Sequence, residues 1–488
     1  MHRKAILHIT ALMLFSVLPF HHPMYGQSDY QEECTIGVAL GSATDDGRPL
    51  LWKTRDNTVT DNHVKYNISY KYKFISVSNA DSSTLPWMGV NEHGLSIVNS
   101  TAYDLPAYPF GPGNGMLMRE VLGNCKTVAE FQHYLDSTNH TGRTTQSNFA
   151  VIDSTGAAVL FETGGRTYCK YDASDSENGY IIRTNFSMCG GGSGGLMRYN
   201  RSTELIGDFF SGDTLNLKSI FRYQMRDFSD DNGEPIAVPY PYSPEIGIPF
   251  GYLNCKKSIC HTASVSAAVI HGVLPSELAG LTTMWVILGH PASSVALPYW
   301  PVGPAPIEAG SVSRAELCDE AKEIRAILFD YPDNKNYIDS YKLRDANGEG
   351  LWSCLFPLED LLFSETTDYM DSLRRLAYLP VQSMLMKEAY NSAFALSELQ
   401  NCKDKLVLNE SIGFIIAYPN PACDKLYIDY SLRKDFNIEL FTILGECVLQ
   451  TGLSNGVNEI DIASLKQGIY IIQVTAENKS YRQKLMKM

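Results

Sequence analysis

The chain has 488 residues, 44% of them hydrophobic and 19% charged, an ordinary globular composition with enough apolar surface for more than one core. A formal net charge of −14 excludes general nucleic-acid binding, which needs basic surface, and favours solubility. The 37 glycines and 28 tyrosines, set among many Asn, Asp and Ser turn signals, point to a β-rich fold.

Residues 1–26 read as a signal peptide, with Arg3 and Lys4 as the basic start and Ala11–Phe20 as an apolar run too short to cross a membrane as a helix. Met24–Gly26 offers a small residue at the cleavage point. The "QEE" before Cys34 is charged, which argues against a lipid anchor there. No later segment is apolar for long enough to span a membrane, so an exported mature chain without a transmembrane segment is expected.

From Cys34 to about Ser100 the pattern is strands and hairpins. "CTIGVAL" and "PLLWKT" flank an Asp46-Gly47 turn, "YNISYKYKFISVS" alternates as one long strand, and Asn91–Gly94 turns between two more. Residues 115–133 have helical spacing. "NFAVIDSTGAAVLFET" is a further hairpin and "GYIIRTNFSM" a further strand. The loop "CGGGSGG" (Cys189–Gly195) lacks a following G-K-[ST] and shows no clear helix start, so it reads as a surface or active-site loop instead of a phosphate cradle. Ser313 to Glu316 has the form of a capping box opening a helix, and residues 348–402 read as helical with a break at Pro380. "PYPYSP" (Pro239–Pro244) reads as a rigid loop. Beyond Cys402 the composition turns all-β, with strands near 426–430, 437–442, 458–462 and 469–474.

Eleven cysteines include no C-x-x-C pair and no zinc spacing, and the histidines (His93, His261, His271, His290) are scattered, so no metal and no cofactor is expected. In an exported chain several disulfides are expected, with Cys255–Cys260 and Cys423–Cys447 as candidate pairs and Cys34 as the thiol left over.

Two readings of Cys34 follow. It is either a buried or disulfide-bonded strand cysteine, or a nucleophile exposed as the first residue of a processed chain. In the second case one residue carries an α-amine with a reference pKa of about 7.7–8.0 and a thiol of about 8.5, so the amine can take the thiol proton itself.

The surrounding motifs favour the second reading. Cys34-Thr35 opening a strand, "DGRPLLWKTRD" ending at Asp56, "GVNEHGLSIVNS" (Gly89–Ser100), "NFAVIDSTGAAVLFE" (Asn148–Glu162), "RTNFS" (Arg183–Ser187) and "LMRYNR" (Leu196–Arg201) resemble, in this order, the cysteine branch of the N-terminal-nucleophile hydrolases. That branch includes penicillin acylases, bile-salt hydrolases, acid ceramidase and penicillin-forming acyltransferases. "TMWVILGHPASSVALPYWP" is similar to the closing region of secreted members. The resemblance implies an α/β fold, a four-layer αββα sandwich, and roles residue by residue. Cys34 is nucleophile and, through its amine, base. Asp56 holds that amine. Asn99 is the oxyanion donor beside the Cys34 N–H, with Thr101 as rival. Asn185 orients the site and Arg198 is the distal arginine of its polar network. Lys53 stands where many relatives carry arginine, with Arg55 as the alternative cation.

"AYPNPACDKLYIDY", "IELFTILGECVLQ", "LKQGIYIIQV" and the basic finish "YRQKLMKM" resemble the type IX secretion sorting domain, a small Ig-like all-β sandwich. This implies Sec export, passage through the type IX machinery and an extracellular or outer-membrane-surface location. The expected organisation is a signal peptide at 1–26, an autocatalytically removed pro-segment at 27–33, a catalytic domain at 34–402 with a helical part from 313, a linker at 403–412 and the sorting domain at 413–488. The expected activity is hydrolysis of a small-molecule N-acyl amide through a thioester on Cys34. Acyl transfer by the same site, or an exported binding protein with Cys34 in a disulfide, remain the alternatives.

Overall fold

The computed structural model describes residues 33–488 except 82–84, 213–214, 231, 241–247, 249–250, 311–313, 332–334, 346–347, 411–414, 419, 431–435, 454–455 and 477–478. The signal peptide, residues 27–32 of the pro-segment, Ser313 and most of "PYPYSP" lie outside the described residues.

β1 (Thr35–Ala39) and β2 (Leu50–Asp56) form an antiparallel hairpin. The chain then builds a seven-stranded meander in sequence order: β3 (Asn62–Asn67), β4 (Phe74–Asn79), β5 (Pro86–Asn91), β6 (Ser96–Thr101), β7 (Ser147–Ile152), β8 (Ala158–Thr163) and β9 (Tyr168–Asp172). β10 (Tyr180–Arg183) returns to the free edge of β1. After a short β11 (Tyr252–Asn254), β12 (Ser264–His271) pairs with β2, and β13 (Thr283–Leu288) and β14 (Leu297–Tyr299) complete a six-stranded sheet, β10-β1-β2-β12-β13-β14. β11 pairs with β15 (Tyr337–Asp339) in a separate ribbon.

The alternation of side chains along each strand sorts three cores. Ile36, Val38 and Leu51 of the six-stranded sheet meet Val77, Met88, Val98 and Leu160 of the meander, so the two sheets face each other. The opposite parity of the first sheet, Ala39, Leu50, Trp52 and Val269, packs on Ile206 of helix α3 (Leu196–Gly212) and on Phe363 of helix Leu351–Arg374. The outer face of the meander, Phe74, Ile97, Phe149 and Phe161, is covered by α1 (Asn114–Asn124) and α2 (Val128–Thr141). The layers are therefore helix, sheet, sheet, helix, as expected. Gly37 faces Trp52 across the hairpin, and a Cβ there would stand 2.0 Å from the indole.

Several local expectations are corrected. "YNISYKYKFISVS" is not one strand: β3 ends at Asn67 and β4 starts at Phe74, because the apolar period breaks over the polar, tyrosine-rich residues between them. The helical stretch after residue 113 is two helices, with Thr127 capping the second through the Glu130 N–H. A helix, α3, does begin directly after the glycine loop, at Leu196. Helix Glu316–Leu328 has Ala315 as its N-cap, with no side-chain cap. The break near Pro380 separates helices Leu351–Arg374 and Val381–Glu410, and the second continues through residues 403–410, which read as linker from sequence.

Neither expected disulfide forms. Cys255 and Cys260 are buried thiols, and Cys423 and Cys447 are exposed ones. The bridges are Cys169–Cys189 and Cys354–Cys402, and spacing alone gave no sign of these long-range partners.

The last strands form two small sheets, β16 (Ile415–Tyr418), β17 (Lys425–Tyr430) and β20 (Gly456–Asp461) in one, β18 (Phe436–Thr442), β19 (Cys447–Leu453), β21 (Gly468–Ala476) and β22 (Lys479–Lys487) in the other. They share their own core of Leu426, Ile428, Leu440, Ile460, Tyr470 and Ile472.

The helical layer is tied to the six-stranded sheet region by a fully buried pair. Arg226 donates to both oxygens of Glu359 at 2.9 and 2.8 Å and to the carbonyls of Pro291 and Ser294. Glu359→Ala leaves that guanidinium uncompensated, and urea denaturation should show a loss of about 3–5 kcal/mol. A change below about 1 kcal/mol would refute the role given to this pair.

Candidate active site

Cys34 lies at the entrance of β1, between β10 and β2. The register Thr35–Thr54 and Ile36–Lys53 brings the end of β2 beside it, so Asp56 returns to the start of β1. Cys34 is buried and takes part in neither disulfide.

Arg198, in the first turn of α3, is buried and reaches back to this point. Its Nη1 donates to the carbonyl oxygens of Glu33 (2.6 Å) and Cys34 (2.9 Å) and to Thr35 Oγ1 (3.2 Å). Its Nη2 donates to Asn185 Oδ1 at 2.9 Å, and Asn185 Nδ2 donates to the Thr101 carbonyl at 2.9 Å. Cys34, Arg198, Asn185 and the Thr101 backbone thus form one continuous network, assembled from four separate segments.

The glycine loop makes this placement possible. Gly195 has φ +70°, and a Cβ there would meet Arg198 Nη2 at 2.6 Å. The loop is pinned by Asp104, which accepts from the Ser187 and Gly192 N–H groups, and by the bridge from Cys169 to Cys189. The Gly194 carbonyl accepts from the Asn185 N–H at 3.1 Å.

Asp56 accepts from Ser264 Oγ at 2.5 Å through Oδ1, while its buried Oδ2 has no hydrogen-bond partner. Burial pushes this carboxyl up to about 7; Arg198, the Ser264 bond and Lys53 pull it down, and Glu33 adds to the rise. An orphan buried carboxylate oxygen is costly unless something arrives to satisfy it.

Lys53 and Asn99 form a different unit. Lys53 Nζ donates to Asn99 Oδ1 (2.8 Å) and the Trp87 carbonyl (3.1 Å), and Asn99 Nδ2 donates to Ser147 Oγ (3.1 Å). Nζ sits where the β5–β6 ladder ends at Met88–Val98, a place for a point ammonium with dispersed acceptors and not for a guanidinium fork. Arg55 is directed to Asn62 and Asn79, at 2.5 and 2.9 Å, and lies over the Trp87 ring. Asn99 is thus bonded to Lys53 and Ser147, and Asn185 to Arg198 and the Thr101 carbonyl.

Three participants carry no sequence signal. Ser264 is one serine of a strand, Asp104 sits in a loop, and His261 belongs to the scattered histidines. His261 Nδ1 accepts from the Ala263 N–H, which puts the proton on Nε2, 3.5 Å from Glu33 Oε2. Burial, with Arg198 nearby, pushes its imidazole down to about 3, so it is neutral. Among the described residues the one grouping with metal-ligand geometry is Glu162, Cys169 and Cys189, whose sulfurs are joined to each other. A cavity of about 630 Å³ lined by Asp46, His271, Trp285, Phe363 and Arg374 opens at the other end of β2, beside Leu50, and shares no residue with the Cys34 network.

Two family models match the chain. Residues 42–194 match the acyl-coenzyme A:6-aminopenicillanic acid acyl-transferase family, a span that holds Lys53, Asp56, Asn99, Thr101 and Asn185 and begins after Cys34. Residues 416–488 match the secretion system C-terminal sorting domain. Both resemblances hold. Residues 42–194 resemble the acyl-transferase family, and the tail marks the chain for export by type IX secretion. No helix among the described residues is long and apolar enough to cross a membrane.

Similar solved structures include the N-acylethanolamine-hydrolyzing acid amidase ortholog of Caenorhabditis elegans, at 16% identity over 38% of this chain and 83% of that one, TM-score 0.29. A variant of the conjugated bile acid hydrolase of Clostridium perfringens is 11% identical over 57% and 94%, TM-score 0.35. The penicillin V acylase of Agrobacterium tumefaciens is 15% identical over 55% and 85%, TM-score 0.33. No curated protein matches the sequence.

The Asp56 environment yields a pH test in a Cys34→Ala chain checked by intact mass to carry Glu33. The folded carboxyl titrates near 7, above its ordinary 3.8. The proton is held more tightly when folded, so this contribution to stability is full below about pH 4 and is lost as pH rises through about 7. Adding Asp56→Asn should raise the urea midpoint progressively relative to its parent between pH 4 and 8. A difference independent of pH would contradict the assignment.

Proposed function

We propose that the protein is a secreted cysteine amidohydrolase. Its leader ends at Glu33 by self-cleavage of the Glu33–Cys34 bond, and the new N-terminal Cys34 attacks the carbonyl of a linear N-acyl amide. The observation that carries this reading is the buried, unpartnered Oδ2 of Asp56 at the end of the strand paired with β1. A new α-ammonium at Cys34 supplies the donor this oxygen lacks, and Asp56 in turn orients the amine toward the thiol.

Each residue then has a role in the mechanism. The Cys34 amine accepts the thiol proton, and the thiolate adds to the acyl carbon. The tetrahedral oxyanion needs fixed donors in a site that excludes water. Asn99 is the donor in this reading, its carboxamide fixed by Lys53 and Ser147, with Thr101 as rival, and Asn185, fixed by Arg198 and the Thr101 carbonyl, orients the site. Collapse releases the amine, protonated by the α-ammonium, and leaves a thioester on Cys34. Water, deprotonated by the same amine, releases the acid. Lys53 contributes positive charge from between the sheets.

A second reading is supported by the description of the family matched by residues 42–194, which is an acyl-transferase. In that case an acceptor amine replaces water in the second half-reaction, and every residue named keeps its role.

The decisive measurement is the N-terminal residue of the mature secreted protein, with a panel of N-acyl substrates assayed alongside. A chain starting at Cys34 is expected, and Cys34→Ala should retain its leader and lose at least about 10³-fold activity. A mature chain starting near Gln27 with an oxidised Cys34 would refute the mechanism. Product formed in proportion to an added acceptor amine would select the transferase reading.

A further inference from the structure

We propose that Arg198 is the oxyanion donor of the self-cleavage step that frees Cys34, and that Glu33 anchors the leader for that step. The inference rests on the self-processing reading above and assigns it a residue. In the uncleaved chain the scissile carbonyl is that of Glu33, and its oxygen lies 2.6 Å from Arg198 Nη1. The same nitrogen lies 2.9 Å from the Cys34 carbonyl and 3.2 Å from Thr35 Oγ1, so one NH₂ group is shared by three oxygens. As the Glu33 oxygen gains negative charge it becomes the strongest acceptor of the three, and the bond to it gains charge assistance.

The guanidinium is pre-set for this. It is buried, Asn185 Oδ1 holds Nη2, and the absence of a side chain at Gly195 leaves room for it. The Glu33 carboxylate lies 3.7 Å from Arg198 Nη2 and 3.5 Å from His261 Nε2, so the side chain before the cut is met by a cation and by an N–H donor.

The chemistry balances with water as the co-reactant. Cys34 Sγ bonds to the Glu33 carbonyl carbon, and the carbonyl electron pair moves to the oxygen facing Arg198. On collapse the Glu33 C–Cys34 N bond breaks, and the thiol proton ends on the nitrogen, which becomes the α-amine. Water then adds to the thioester, the C–S bond breaks, and the products are a leader ending in the Glu33 carboxylate and a free Cys34 thiol. The leader is thus the first acyl group this sulfur carries.

Cleavage of full-length protein is followed by intact mass and N-terminal sequencing. Arg198→Ala should slow the appearance of a Cys34 terminus at least about 100-fold, and millimolar methylguanidine should restore part of the rate. Arg198→Lys should slow it about 10-fold. Glu33→Ala should slow it a few-fold and yield a mature enzyme identical to wild type in sequence and specific activity, since residue 33 is removed. Should the alanine variant not fold, a lysine variant with a wild-type melting curve decides the matter. Its cleavage at the wild-type rate, or wild-type cleavage in a folded Arg198→Ala chain, overturns the inference. A wild-type chain that never starts at Cys34 overturns it together with the hydrolase reading, whereas normal wild-type processing with indifferent Arg198 variants overturns only this step.

Discussion

The pairing of β1 on both sides, with β2 and with β10, is the constraint on which the rest of the site depends. A strand in the interior of a sheet has its backbone donors and acceptors taken, so the residue at its entrance is fixed in place. The two neighbours then deliver what surrounds Cys34. β2 ends in Asp56, and β10 runs directly into Asn185, the glycine loop and the first turn of α3 with Arg198. None of these residues sits on a freely moving loop of its own, because the Cys169–Cys189 bridge and the Asp104 contacts hold the loop to the second sheet.

Burial makes the electrostatics of this region consequential. Lys53, Arg55, Asp56 and Arg198 all lie out of solvent, and the three cations donate to carbonyl and amide oxygens, Arg198 also lying 3.7 Å from the Glu33 carboxylate. Asp56 keeps one oxygen without a hydrogen bond, and burial pushes its pKa up. Under the self-cleavage proposed above, the α-amine of Cys34 is the group that satisfies this oxygen.

The remaining features fit an exported protein. Two disulfides, one of them joining the long helices through Cys354 and Cys402, are of the kind an oxidising compartment allows. The sorting domain is built from its own strands around its own apolar core and shares no residue with the Cys34 network.

The ordering of motifs from Cys34 to Arg198, the hairpins around Asp46-Gly47 and Asn91–Gly94, and the all-β tail were legible in the sequence, because turn chemistry and strand alternation are local properties. The same locality explains the failures. Cys255 and Cys260 are close in sequence and remain thiols, whereas Cys354 and Cys402 are brought together only when two helices pack. The partners of Asn99 and Asn185 could not be read from sequence; the end of the β5–β6 ladder gives the first to Lys53, and the approach of α3 gives the second to Arg198. Ser264 and His261 enter the site only because β12 pairs with β2, across some two hundred residues of intervening chain. What the sequence determined by itself was a cysteine at the head of the first strand and the order of the motifs around it. Which groups would serve it was decided by strand pairing and helix docking, since those alone set the distances over which hydrogen bonds and charges act.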